Sequence, residues 1–301
     1  MEPSMSMHIE PECYPCAMRQ ALRTAQMAEL DIEQQRRVLD DAARNLSHKG
    51  SSGWTTLRIG RRAADLATRL AGKWIEHDIY REPKEHANDV ARSFAGSLRR
   101  DIRAASDPLA MAIRAATAGN IIDFGAKDHA TLDLKRECEA IGIQPFGHFD
   151  IAPFRKLVEC ADDLLYVCDN AGEIVFDILL MEVLRDIRPG LRIVAAFRER
   201  PILNDATLED ARQVGMDRVA ELVSSGSIYA GSPLSECSDS FRHLFAKADV
   251  VVSKGQGNFS SLRDDAHERL FFSLRIKCAT IARLTGLELD TLQFVQATNL
   301  P

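Results

Sequence analysis

Past residue 120 this sequence alternates between two textures, and that alternation limits the folds open to it more than any other feature. Short apolar runs at 121–124, 164–168, 192–197, 249–253 and 270–276 read as buried strands, and 291–296 as a last one. Between them lie segments with helical spacing, at 132–141, 174–187, 208–214, 237–247 and 277–284. Strands separated by helices form crossover units, and repeated crossover units build a mostly parallel sheet flanked by helices.

The first third reads differently. Leu39, Ala42, Ala43 and Leu46 recur at spacings that line one helix face, and Ile59, Ala63, Leu66, Leu70 and Trp74 line another. Residues 87–99 add a third helix and 108–118 a fourth. Pro108 suits a first helical turn, with Asp107 or Ser106 as its cap. No strand signal precedes residue 120. The expected architecture is an all-helical N-terminal subdomain over 1–105, packed on a Rossmann-like α/β domain over 106–301. No internal repeat or low-complexity linker separates them.

Composition narrows the function. A formal charge of −6 on 301 residues argues against bulk nucleic-acid binding. No apolar stretch approaches the ~20 residues that span a bilayer. The first twelve residues lack the basic region and apolar block of a secretory signal. Seven cysteines is an odd number, and most sit in apolar patterns, which points to reduced thiols in a cytoplasmic protein. Oligomeric state is left open.

Four segments at strand ends carry candidate chemistry. In the first, Asp169-Asn170-Ala171-Gly172-Glu173 joins an apolar run directly to a helix. Carboxylate and amide oxygens there suit Mg²⁺ or Mn²⁺ better than soft metals; the bland alternative is a helix cap with a glycine turn. Asp205, before the helix at 208, is a candidate second carboxylate or an ordinary loop residue. Nearby Arg198 and Arg200 either face an anion or form a solvated charge run, and the solvated reading is favoured. In Lys254-Gly255-Gln256-Gly257-Asn258 the glycines let backbone amides approach phosphate oxygens, and Lys254 adds a point charge; a ligand-free turn is the alternative. Asn120, before the first run, either reaches the sheet edge or forms a local turn. Cys13 and Cys16 make a lone CxxC without the second pair that zinc wants, and two semi-buried thiols is the favoured reading.

Together these segments resemble the damage-control phosphatase family, earlier a family of unknown function. The likeness spans nearly the whole chain: Cys13-Tyr14-Pro15-Cys16 with Gln20, the 119–125 segment, 169–173, 204–207, 254–259 and Lys277-Cys278. The CxxC looks like the smaller prokaryotic and archaeal branch. The resemblance implies a divalent cation (Mg, Mn, Co or Ni) held by Asp169, Asn170 and Asp205. It implies phosphate contacts from Lys254, Gly255 and Asn258, with Asn120 nearby, and catalytic roles for Asp169 and Lys254. It implies hydrolysis of small phosphorylated metabolites such as sugar phosphates, nucleotides or phosphopantetheine compounds, with neither nucleic acid nor membrane as partner. Ser260 departs from the family, where a Glu is common. Whether Asp169 attacks phosphorus or orients water stays open. Two rivals are an S-adenosylmethionine-dependent methyltransferase, for which Gly125-Ala126-Lys127 makes a poor glycine loop, and a non-catalytic phospho-ligand binder.

Overall fold

The structure is a computed structural model, and it describes residues 9–47, 56–119 and 145–300. Its seven strands are β1 (Phe146–Phe149), β2 (Asp163–Val167), β3 (Arg192–Phe197), β4 (Glu221–Ser224), β5 (Val250–Lys254), β6 (Leu270–Arg275) and β7 (Leu292–Gln296). They form one sheet in the order β1-β7-β6-β5-β2-β3-β4. Every neighbouring pair is parallel except β6 with β7. The chain is therefore α/β with a mostly parallel sheet, as its texture predicts.

Successive side chains of a strand point to opposite faces. Leu164, Tyr166, Ile193, Ala195, Val250 and Val252 enter the core on one face. Leu165, Val167, Val194, Ala196 and Val251 enter the core on the other. Both faces are covered, and that is why these strands read as unbroken apolar runs.

The helices supply the covering layers. Helices α1 (Cys13–Met27), α2 (Ile32–Ser47) and α3 (Thr56–Leu70) share a separate core that includes Ala21, Ala25, Val38, Ala42, Ile59 and Ala67. Helices α4 (Arg81–Ala104), α5 (Pro108–Ala118), α6 (Ile151–Cys160), α7 (Glu173–Ile187) and α8 (Leu208–Val214) contribute to the first sheet core. Helices α9 (Asp239–Lys247), α10 (Gly255–Leu262) and α11 (Ala279–Thr285) contribute to the second. Asp107 caps α5 by accepting from the Ala110 N–H at 3.1 Å, with Pro108 in the first turn, one of the two caps the sequence offers.

The differences from the sequence expectation have physical causes. Trp74 was expected to extend the α3 face, but Gly72 takes a left-handed φ of 71°, and the Lys73 N–H turns back to the Thr68 carbonyl at 3.1 Å. Trp74 lies beyond that turn and is 69% exposed. Strands β1 and β4 carry no apolar run because each is a short edge strand with half-exposed residues. Helix α6 was also missed, since it buries only Phe154 and Val158. The strand expected at 121–124 and the helix at 132–141 lie outside the described residues. No described helix is long and apolar enough to cross a membrane.

Candidate active site

From β2 the chain runs outward to β3 and β4, then returns to β5 on the other side of β2. The connections leaving β2 and β5 diverge there, and the carboxyl edge at such a switch point is where open α/β sheets form a ligand crevice. Asp169 lies two residues past β2, and Lys254 ends β5, with Val167 and Ser253 in register beside each other. The segment after β3 folds back over this edge. Its Ala206 N–H donates to the Asp169 carbonyl at 2.7 Å, and the Ala171 N–H donates to the Asn204 carbonyl at 2.9 Å. Asn170 and Asp205 thus form an antiparallel bridge. Leu203 turns the segment with a φ of 51°, a strained value for a non-glycine residue. Backbone pairing therefore sets Asp169, Asn170 and Asp205 side by side, although the last is remote in sequence.

Arg198 organises their side chains. It is 1% exposed, and its Nε donates to Asp205 Oδ2 at 2.7 Å. Nη1 donates to Ser232 Oγ at 2.7 Å and to Asn258 Oδ1 at 2.9 Å. Nη2 stands 3.6 Å from Asp169 Oδ1 and has no hydrogen-bond acceptor among the described residues. Asn170 Nδ2 donates to Asp169 Oδ2 at 2.7 Å, which fixes the amide with its oxygen free of hydrogen bonds among the described residues.

Negative charge is in excess here. Burial pushes the Asp169 carboxyl well above the usual range; the Asp205 and Glu173 carboxylates push it further, while Arg198 and Lys277 pull it back. Burial also raises Asp205, with Arg198 opposing. Glu173 Oε1 is buried without a partner among the described residues. One guanidinium thus serves two buried carboxylates beside a third. Among the described residues no three His, Cys, Asp or Glu side chains meet in metal-binding geometry; this set is two carboxylates and an amide oxygen. Hard oxygen donors carrying uncompensated charge fit a divalent cation of the Mg²⁺ or Mn²⁺ type.

Lys254 sits beneath this edge. Its Nζ donates to the Ala116 carbonyl at 2.8 Å, to Glu173 Oε2 at 3.0 Å and to Asp177 Oδ1 at 2.6 Å. Those three bonds use every donor an ammonium has. The expected phosphate contact from Lys254 is therefore replaced by an internal charge tie. Tyr166 OH also donates to Asp177 Oδ1 at 2.6 Å, yet burial outweighs both partners and pushes the Asp177 carboxyl up to about 6. Asn258 is equally committed. Its Nδ2 donates to the carbonyls of Cys168 at 3.0 Å and Lys254 at 2.8 Å, and its Oδ1 accepts from Arg198 and from Ser232 Oγ at 3.0 Å. It holds Arg198 in place and has no capacity left for an ester. Asn120 lies outside the described residues.

The glycine segment is the first turn of α10 rather than a free loop. Its leading N–H groups have no partner within the helix, the usual basis of anion binding at such an end. Gly255 has a φ of 80°, and a Cβ there would overlap the Asp169 carboxylate outright. Ser260, the residue that departs from the family pattern, turns back on α10 and donates to the Gln256 carbonyl at 2.8 Å.

Several supporting residues escaped the sequence reading. Arg198 is no solvated charge but a buried one, and its place at the end of β3, matching that of Asp169 after β2, was the available signal. Lys84 and Asn88 come from α4, which showed only its apolar spacing. Lys84 Nζ lies 2.6 Å from both Asp78 and Asp210, and Asp210 in turn accepts from the Thr207 N–H at 2.8 Å. Asn88 Oδ1 accepts from the Gly172 N–H at 2.7 Å. Helix α4 thereby anchors both turns that present the three oxygen donors. Lys277, exposed beyond β6, is a cation close enough to act on Asp169, and among the described residues only its backbone N–H is tied, to Gln256 Oε1 at 3.0 Å.

Comparison with known proteins identifies the family. A profile of the damage-control phosphatase ARMT1-like domain matches residues 9–292. A damage-control phosphatase of Pyrococcus horikoshii is 32% identical over 286 residues, covering 92% of this chain and 94% of its own. A damage-control phosphatase of Archaeoglobus fulgidus is 31% identical over 293 residues, covering 93% and 96%. The crystal structure of a DUF89 family protein from Pyrococcus horikoshii superposes with a TM-score of 0.86 at 30% identity, covering 97% of this chain and 99% of that one. The chain belongs to the ARMT1-like damage-control phosphatase family, and is accordingly a phosphatase.

Proposed function

We propose that the protein hydrolyses phosphate monoesters of small metabolites at the β2–β5 switch point, with a divalent cation held by Asp169, Asn170 and Asp205. The observation that carries the reading is the meeting of two buried carboxylates at a single guanidinium, with the Asn170 amide bonded to one of them. A bound Mg²⁺, Mn²⁺, Co²⁺ or Ni²⁺ supplies positive charge against that which builds on the phosphoryl oxygens. The chain's own residues do the rest. Arg198 fixes both carboxylates, and its unpartnered Nη2 faces the same edge. The first N–H groups of α10 face the ester, and Lys277 takes the oxygen contact that the buried Lys254 does not offer. Lys254 keeps Glu173 and Asp177 in place behind them.

The polar rim, with Lys277 and the α10 turn, supports a compact anionic substrate. Reduced thiols support a cytoplasmic setting. The family assignment favours this reading over methyl transfer and over a silent ligand pocket.

The test is a phosphate-release screen across sugar phosphates, nucleotides and phosphopantetheine, with several divalent ions and a chelator control. Metal-dependent turnover is expected, abolished in a folded Asp169→Ala variant. Full activity of that variant in the presence of metal ends the proposal.

A further inference from the structure

Helix α3 belongs to the N-terminal core and contributes nothing to the chemistry above, yet it carries a buried arginine that reaches the sheet edge. Arg61 is 4% exposed. Its Nη2 pairs with Asp65, one turn along the helix. Its Nη1 donates to two carbonyls from distant parts of the chain, Pro201 at 2.8 Å and Ile228 at 3.4 Å. An ion pair one turn apart on a solvated helix face contributes little. Here burial strips the guanidinium of water, and two of its remaining donors go to loop carbonyls.

Those two loops supply Arg198 with its partners. Pro201 lies in the segment after β3 that carries Asp205, and Ile228 lies in the segment after β4 that carries Ser232. The segments meet where the Glu199 N–H donates to the Ser227 carbonyl at 2.9 Å, and Arg61 bridges them beside that junction. The later segment also rests on the first turn of α10, since a Cβ at Gly257 would overlap the Ala230 carbonyl. Among the described residues, the bond from Arg61 is the only hydrogen bond that ties residues 200–203 to another element. The next link inward is the Ile202 carbonyl, which accepts the Asp205 N–H at 3.1 Å across the strained Leu203. Strained backbone persists only where its surroundings over-determine it. The pairing of Asn204 and Ala206 supplies that constraint on one side of Leu203, and Arg61 supplies it on the other.

We propose that Arg61 is a positioning residue for the cation site, acting through the Pro201 and Ile228 carbonyls on Asp205 and Arg198. The proposal rests on the reading of Asp169, Asn170 and Asp205 as cation ligands. With the clamp in place Asp205 is set beside Asn170 before any ion arrives, so binding need not order the loop. Without it the 200–205 turn relaxes toward unstrained backbone, and one of the three oxygen donors loses its preset place. Groups that orient metal ligands are worth about 10–100-fold in metal affinity.

The full-length protein is titrated with Mn²⁺, the free ion being followed by electron paramagnetic resonance, with Asp169→Ala as background. The dissociation constant of Arg61→Met is expected to rise about tenfold or more. Arg58→Gln, which cuts a different tie from α3, the 2.8 Å ion pair with Glu236, keeps the wild-type value. Arg61→Lys keeps a cation beside Asp65, gives up the reach to both carbonyls and is expected to weaken binding in the same direction, so the comparison survives if Arg61→Met does not fold. Hydrogen exchange in the same proteins is expected to quicken over 199–207 and 225–232 in the Arg61 variants. A folded Arg61 variant with wild-type Mn²⁺ affinity overturns the proposal even where its urea midpoint falls, because a role in stability alone would do that. Wild-type protein that takes up no Mn²⁺ refutes the cation site itself; the exchange rates still decide the clamp, and unchanged rates over both loops overturn it.

Discussion

Gly255→Ala is the smallest change that separates the site's geometry from its composition, because every proposed ligand stays in the chain. A Cβ at Gly255 would stand 2.9 Å from Asp169 Cβ and overlap Asp169 Cγ and Oδ2. Carbon atoms settle at roughly 3.5–4.0 Å. The carboxylate, lying further inside that limit than its own Cβ, has to swing by more than ~1 Å, and Asn170 Nδ2 must then lose its bond to Oδ2. A displacement of that size costs about 100-fold in rate when it moves a reacting group. The left-handed φ of 80° adds about 1–2 kcal/mol of backbone strain for alanine. Stability is therefore expected to fall modestly and activity greatly. The assay is metal-dependent phosphate release at saturating substrate, beside urea melts of both proteins. Activity within threefold of wild type would refute the argument that Gly255 is there to admit the Asp169 carboxylate.

Two further outcomes follow from the buried charges. Lys84→Met leaves Asp78 and Asp210 buried without their shared ammonium, and breaking a buried pair costs about 3–5 kcal/mol; a loss of unfolding free energy below about 1 kcal/mol in urea melts would contradict the anchoring role of α4. Asp177 keeps its proton in the folded chain up to about pH 6, whereas an unfolded Asp loses it near ~3.9. The folded state binds that proton more tightly, so its contribution to stability is present below about pH 4 and is lost as pH rises through 6. Asp177→Asn removes this dependence, and its stability relative to wild type is expected to rise by about 2 kcal/mol between pH 4 and 7. A flat difference in urea melts across that range would show that Asp177 is already ionised at the lower pH.

The sheet was legible because burial on both faces writes itself as unbroken apolar runs. Leu164 to Val167 and Arg192 to Phe197 needed no tertiary information to be read as strands. Strands β1 and β4 lie at the sheet's edges, where burial is incomplete and the signal fades. In the site, Asp169 and Asn170 were legible from their place after a strand, whereas Arg198 was not, because an Arg-Glu-Arg run looks solvated until the Asp205 segment folds over it. Lys254 and Asn258 show the converse: residue type and position suggested ligand contacts, but saturation of all their hydrogen-bonding groups depends on Ala116, Glu173 and Cys168, which periodicity does not bring together. Lys84 and Asn88 sit on a helix whose apolar spacing gave no sign that its polar face is buried against two turns.

The central claim is that Asp169, Asn170 and Asp205 surround one cation. Diffraction from crystals soaked in Mn²⁺, phased to show anomalous scattering, locates that ion without reference to any substrate. A peak about 2.0–2.2 Å from oxygens of all three side chains is expected, the range for small hard cations. Manganese bound elsewhere, or the three oxygens turned toward different partners with no peak between them, would contradict the account.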